Sequence, residues 1–232
     1  VNDILKNHPK IIANWIISEL FAFLKKENIE ITGNTVIDAL LSVSAKLDTE
    51  HSKYNTYFSS GYNIDIAAKK IILVTGHRRE SFGHGFENIC FAIKQIAESN
   101  DVQIIYPVHL NPNVQEPVNR ILGGVDNVYL IPPQDYVPFV FLMKKAHIIL
   151  TDSGGIQEEA PAFKKPVIVT REFTERYEAV EAGFSILTGA DSIRIIQVAQ
   201  SLLLNAPDLQ NITNPFGDGK AAKRIVDFLE KL

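Results

Sequence analysis

Two short segments carry residue types that could hold an anion. Thr75-Gly76-His77-Arg78-Arg79-Glu80-Ser81-Phe82-Gly83 follows the apolar run 71–74, and Asp152-Ser153-Gly154-Gly155-Ile156-Gln157-Glu158-Glu159 follows the apolar run 148–150. The first is a strand emptying into a glycine-punctuated basic loop, and two arginines and a histidine in such a loop suit phosphate. The second is a Ser-Gly-Gly turn placed to open a helix, whose first N–H groups lack intrahelical partners and attract negative charge. Small residues there let backbone amides approach an oxyanion closely. Two such turns in one domain point to a diphosphate ligand. Each has a plainer reading as well. Ser-Gly-Gly is also an ordinary helix entry, a basic pair is commonly solvated surface charge, and His77 either acts on a ligand or only hydrogen-bonds its loop.

The bulk composition narrows the function classes. A chain of 232 residues with 46% hydrophobic content can bury a sizeable core, as one large domain or one domain with part of a neighbour. A net charge of -4 and a pI of about 5.9 argue against a nucleic-acid partner, whose phosphates demand clustered surplus Lys and Arg. The single cysteine, Cys90, excludes an internal disulfide framework and a multi-cysteine metal site, fits a reducing cytosol, and is expected to pack in a helix. His8, His51, His84 and His147 show no metal-ligand spacing, so no metal is expected. No apolar run approaches the ~18 residues of a membrane span, and the first residues lack the basic-then-apolar order of a secretory signal. The expectation is a soluble cytoplasmic protein with no membrane partner, no internal repeat and no low-complexity tract.

The elements that must position these turns follow from periodicity. From Lys70 onward, apolar runs at 71–75, 102–106, 127–131, 147–151, 166–170 and 184–188 alternate with segments of helical period, the βα alternation of a parallel sheet. Phe86, Ile89, Cys90, Ile93, Ile96 and Ala97 share one helical face, and Val114, Val118, Ile121 and Leu122 do so in the next crossover. Asp135, Asp152 and Asp191 stand near later helix starts as candidate caps. The fold class is a doubly wound, Rossmann-like α/β sheet over residues 70–232, with ligands at the carboxyl ends of its strands. Residues 1–69 read as a lead-in: an aromatic helical stretch over 11–26 bearing Trp15, Phe21 and Phe23, then a polar, loop-like region around 44–63. A closing helix is expected from about Gly219, after the turn-rich 214–219.

Six strings resemble, in order and spacing, the non-hydrolysing UDP-N-acetylglucosamine 2-epimerases: TGNTVIDALL at 32–41, ILVTGHRRESFG at 72–83, YPVHLNPNV at 106–114, LTDSGGIQEEAP at 150–161, TERYEAVEAG at 174–183 and NPFGDGKAAKRI at 214–225. The resemblance implies the C-terminal half of a glycosyltransferase-B type architecture, in which a UDP-sugar lies between two Rossmann-like domains. It implies no cofactor, UDP-N-acetylglucosamine as the partner molecule, and a homodimer in the full-length family. The family's early Gly-Thr-Arg-Pro-Glu motif and its acidic proton-transfer residues have no match before Thr32, so the full catalytic set is not expected within these residues.

By the same resemblance His77 matches the essential active-site histidine. Ser153, Gly154 and Gly155, the turn suited to a diphosphate, match substrate-binding positions, and so does Arg176, whose plainer reading is an exposed partner for an acid one helical turn away; Glu159 matches the carboxylate that holds the ribose hydroxyls, and Gln134 and Phe139 the uracil pocket. Arg78 and His109 match a second, allosteric nucleotide-sugar site. Phe139 also has core spacing with Leu142 and Met143, and Glu158, about 100° round the helix from Glu159, reads as structural. Two other functions share parts of the pattern: a non-catalytic remnant that keeps the UDP pocket, and a glycosyltransferase domain of the same architecture, against which TGHRRESFG and YPVHLNPN both speak.

Overall fold

A computed structural model of the protein describes residues 31–79 and 82–230, and the described residues from Gly33 onward form one compact unit. The aromatic stretch with Trp15, Phe21 and Phe23 lies outside the described residues. The strands are β1 (Lys70–Thr75), β2 (Val102–Pro107), β3 (Val128–Ile131), β4 (Ile148–Thr151), β5 (Val167–Val169) and β6 (Ser185–Leu187). All pair in parallel, in the order β3-β2-β1-β4-β5-β6, with Leu73 of β1 opposite Ile105 on one side and Ile149 on the other. Each apolar run of the sequence becomes one of these strands.

A parallel sheet covered on both faces needs apolar side chains pointing both ways, and β1 supplies them in alternation. Ile72 and Val74 pack under helices α3 (His84–Ser99), α4 (Pro112–Leu122) and α8 (Ser192–Leu204), through Phe86, Ile93, Val118, Ile195 and Ala199. Ile71 and Leu73 face the other way, against α5 (Tyr136–Lys145) and the two helices that precede β1, α1 (Thr35–Thr49) and α2 (His51–Tyr62). Full burial of each large side chain contributes about 1.5–3 kcal/mol. The sheet is thereby held as a rigid platform.

The region around 44–63 is helix rather than loop, and it belongs to the same compact unit as the sheet instead of preceding it. Its Ser, Asn and Gly content favours irregular structure, but Tyr54, Tyr57, Phe58 and Tyr62 fall at helical spacing and tertiary packing prevails. Phe58 is fully buried and stacks on Phe141 of α5 at 5.8 Å between ring centroids. Leu40 and Leu47 of α1 join the same core.

Two shorter helices, α6 (Gly154–Glu159) and α7 (Tyr177–Glu181), follow β4 and β5, and α9 (Ala221–Leu229) closes the chain. The expected closing helix is capped from afar: Asp38 of α1 accepts the N–H groups of Ala221 and Ala222 at 3.1 and 2.9 Å. Of the three candidate aspartate caps, Asp191 caps α8 through Ile193 and Arg194, whereas Asp135 precedes α5 without a side-chain cap bond. Asp152 has a different task, described below. No helix among the described residues is long and apolar enough to cross a membrane.

Cys90 sits on the buried face of α3, and burial pushes its thiol up to about 12. Thiolate is the reactive form, so the native protein is expected to resist dithionitrobenzoate at pH 8 and to release one equivalent only in denaturant. Full modification of the native protein within minutes would show that α3 does not pack as described.

Candidate functional site

The strand order reverses between β1 and β4: β2 and β3 lie on one side, β5 and β6 on the other. In open α/β sheets ligands bind outside the carboxyl ends of the strands at such a switch point. Both anion-holding turns flank it, the His77 loop leaving β1 and the Ser-Gly-Gly turn leaving β4. The remaining candidates also follow strand ends: His109 after β2, Gln134 and Phe139 after β3, Glu159 after β4 and Arg176 after β5. Five adjacent strands each deliver a residue to one edge of the sheet.

Asp152 joins the two turns. Its carboxyl group is 1% exposed, and Oδ2 accepts the backbone N–H groups of both His77 and Arg78, at 2.9 and 2.8 Å. Those two amides of the basic loop are therefore already paired with a protein oxygen. A ligand at this loop meets the side chains of His77 and Arg78, not their N–H groups. Tyr106 of β2 fixes the same loop by donating to the Gly76 carbonyl at 3.2 Å. The exposed ring of His77 stacks on that of His109, with centroids 5.0 Å apart and planes 13° apart.

Beyond β4, Ser153 donates its N–H to Thr151 Oγ1 at 3.0 Å, and its side chain makes no capping bond to α6. The first N–H groups of α6 are thus left for a ligand. Arg176 lies directly over this turn. A Cβ added at Gly154 would stand 3.3 Å from Arg176 Cζ, so any larger residue there would require the guanidinium to shift by a few tenths of an ångström. Behind the turn, buried Gln157 donates Nε2 to the Ser153 carbonyl at 3.2 Å and accepts from Thr174 Oγ1 at 2.5 Å; the same hydroxyl accepts Arg176 N–H at 3.1 Å.

Cations gather here. Arg171 is buried and grips Glu175 with two bonds of 2.9 and 3.2 Å, while Arg176 Nη1 stands 3.6 Å from the same carboxylate. The Arg171 bonds hold the Glu175 carboxyl down at about 2, with the charges of Arg171 and Arg78 adding to the effect. Arg171, Arg176 and, at longer range, Arg78 thus act on one carboxylate, on a chain that is negative overall. Arg171 also lines a cavity of about 440 Å³ with Phe82, Gly85 and Thr170. None of the candidate site residues singled out in the sequence lines that cavity.

Glu159 is 6% exposed and accepts from Tyr136 Oη at 3.0 Å. Burial raises its carboxyl above the usual range; the Tyr136 bond opposes that, and the neighbouring Glu158 charge adds to it. Phe139 is half-buried against the core while remaining near the strand ends, so its core spacing is real. Gln134 faces α2: its Nε2 donates to Tyr62 Oη and to the Pro132 carbonyl, and its Oε1 accepts from Tyr57. Sequence reasoning missed Tyr136, Gln157 and Thr174, whose partners lie on other elements, and it took Asp152 for a cap. No group of three or more His, Cys, Asp or Glu among the described residues is placed to hold a metal ion.

The model of the family described as UDP-N-acetylglucosamine 2-epimerase matches residues 17–230, starting ahead of the first recognisable string. The UDP-N-acetylglucosamine 2-epimerase of Salmonella typhimurium is 56% identical over 208 residues, covering 88% of this chain and 55% of that protein. Among solved structures, the Neisseria meningitidis enzyme bound to UDP-GlcNAc gives a TM-score of 0.79 at 44% identity, over 90% of this chain and 58% of that one. The Methanocaldococcus jannaschii enzyme in complex with UDP-GlcNAc and UDP gives 0.72 at 33%, over the same shares of the two chains. The chain spans about half the length of the curated relatives it matches. Its doubly wound sheet is the C-terminal half of a glycosyltransferase-B type architecture, and a match of this extent means that the chain belongs to the UDP-N-acetylglucosamine 2-epimerase family.

Proposed function

We propose that this chain is the nucleotide-holding half of an enzyme that interconverts UDP-N-acetylglucosamine and UDP-N-acetylmannosamine, supplying surface polysaccharide synthesis. The observation that carries the reading is the Arg176 guanidinium stacked over Gly154 at the uncapped start of α6, on the β4 side of the switch point. In this reading Ser153, Gly154, Gly155 and Arg176 grip the diphosphate, Glu159 takes the ribose hydroxyls, and Gln134 and Phe139 meet uracil. A uracil bond to Gln134 competes with the bonds it makes to Tyr57 and Tyr62.

The proton on carbon 2 of the sugar is not adjacent to a carbonyl, so its direct removal would give a poorly stabilised carbanion. Elimination avoids this. The carbon 1–oxygen bond breaks, UDP leaves with the electron pair, and the carbon 2 proton passes to a base, leaving a 2-acetamidoglucal. UDP then adds back at carbon 1 while a proton returns to the opposite face of carbon 2. Each preorganised donor to the departing diphosphate is worth on the order of 10²–10³ in rate, and acid and base groups are needed on both sides of the sugar. His77 is the candidate from this wall. Arg78 and His109 are assigned to a second, activating nucleotide-sugar site, whose occupancy the His77–His109 ring contact would report to the catalytic histidine. A cytoplasmic location and a homodimeric full-length protein complete the reading.

Calorimetry with UDP tests the grip. The 232-residue chain is expected to bind UDP, Glu159→Ala to weaken it by about tenfold or more through lost charge-assisted bonds, and Gln95→Ala on the exposed side of α3 to leave it unchanged. Equal affinities for wild type and Glu159→Ala would remove the ribose assignment.

The acid limb of UDP binding has a stated sign. Ribose hydroxyls favour ionised Glu159, whose carboxyl is raised by burial, so its contribution to affinity should fade at a pH above the ordinary carboxylate value of 4.5 as pH falls. Tyr136→Phe removes a bond that favours the ionised form and should move that limb to still higher pH. The difference from Glu159→Gln cancels the ligand's own ionisation. A limb at or below 4.5, or moved down by Tyr136→Phe, would contradict the account.

The chain alone is expected to show no exchange of deuterium into carbon 2 of UDP-N-acetylglucosamine, because one wall supplies groups to one face of the sugar. Adding the N-terminal half of a relative should restore slow exchange, and His77→Ala in that mixture should abolish it. Robust exchange by the chain alone would show that its own residues complete the site.

A further inference from the structure

Glu158 has no role in any of the contacts assigned to the nucleotide, yet it makes the bond that sets Arg176. Its Oε1 accepts from Arg176 Nε at 2.8 Å, and its Oε2 accepts from Asn34 Nδ2 at 3.0 Å. The Glu158 side chain is only 16% exposed, so water replaces little of either bond. Asn34 is the N-cap residue of α1, and asparagine there ordinarily bonds its own helix, a contribution of about 1 kcal/mol. Here its side chain makes no cap bond and reaches instead to a residue 124 positions away. On the backbone side, Thr174 accepts Arg176 N–H, and Gln157 ties Thr174 to the Ser153 carbonyl. Side chain and main chain of Arg176 are therefore both anchored to the turn it covers. With Nε engaged by Glu158, Nη1 stands 3.6 Å from Glu175 and Nη2 has no partner among the described residues.

We propose that Glu158, braced by Asn34, is the positioning residue of the diphosphate grip: it presets the Arg176 guanidinium over Gly154 and so confers preference for the diphosphate-bearing nucleotide over the bare nucleoside. The inference rests on the reading that this chain holds UDP. A guanidinium fixed before binding loses less side-chain freedom on meeting the ligand than one that must be ordered by it.

The test is binding of UDP by calorimetry and of uridine by saturation-transfer NMR, to wild type, Arg176→Ala, Glu158→Gln, Asn34→Ala and the Arg176→Ala/Glu158→Gln double variant. Glu158→Gln keeps the side-chain shape, and exposed Asn34 can be truncated without opening the core. Glu158→Gln should weaken UDP by about tenfold, the scale of one charge-assisted bond, Asn34→Ala should weaken it less, and uridine affinity should not move. The double variant should bind UDP no more weakly than Arg176→Ala alone, since a positioning residue acts only through the group it positions. Additive losses, equal losses for uridine, or UDP affinity unchanged in Glu158→Gln while Arg176→Ala loses it would each overturn the proposal and leave the UDP reading standing. No UDP binding by the folded wild-type chain would overturn both.

Discussion

A carboxyl group with 1% exposure has lost nearly all its water, and it persists in a protein interior only where other donors replace that water. For Asp152 two consecutive backbone N–H groups from the loop of a different strand, β1, replace it at Oδ2, while Oδ1 is buried with no partner among the described residues. The rest of the site depends on this one exchange. It converts the gap between β1 and β4, where the sheet changes direction, from two independent loops into a joined edge. His77 cannot drift without breaking bonds to a group that would then be left buried and unpaired, at a cost of about 1–3 kcal/mol for each lost partner.

The same logic separates what anchors the site from what contacts a ligand. Backbone amides near His77 are used inward, so that loop offers side chains outward. At the Ser-Gly-Gly turn the assignment is reversed: Gln157 and Thr174 satisfy the groups behind the turn, and the helix N–H groups in front stay uncommitted. A basic loop and a glycine turn that look alike in sequence thus present different groups outward, imidazole and guanidinium at the one, main chain overlaid by Arg176 at the other.

Much of this was legible in the sequence. The six apolar runs became six parallel strands because a doubly covered sheet needs unbroken apolar stretches, and no competing pattern has that spacing. The helix over 51–62 was hidden because its core-facing side is aromatic and its remainder is polar, so a count of polar residues outweighs a face that only period reveals. Asp152 reads locally as a cap because it precedes a helix; that it accepts from residues 74 and 75 positions earlier is a consequence of β1 and β4 being neighbours. Glu158 reads as structural beside Glu159, and the pair divides as helical angle predicts, Glu159 inward to Tyr136 and Glu158 sideways to Arg176. Which arginine it would meet depended on β5 lying next to β4. Strand order is the information that local sequence lacks, and the bonds from Asp152 to the His77 loop and from Glu158 to Arg176 both depend on it.

That division also fits what elimination and re-addition would ask of a nucleotide-holding wall. UDP would leave the sugar and return to it, so it must stay in one place while the sugar changes. A grip assembled on loops alone would reorganise between the two steps and lose the benefit of preset donors. Here the residues assigned to the nucleotide follow three strands of one buried sheet, β3, β4 and β5, with Arg176 held by main chain and side chain alike and Glu159 held by Tyr136. The exposed imidazole of His77 is the less confined group, bounded by its stack on His109. On the proposed reading, these anchored groups with an exposed histidine at their edge would suit a reaction in which the nucleotide is the fixed partner and the sugar the moving one.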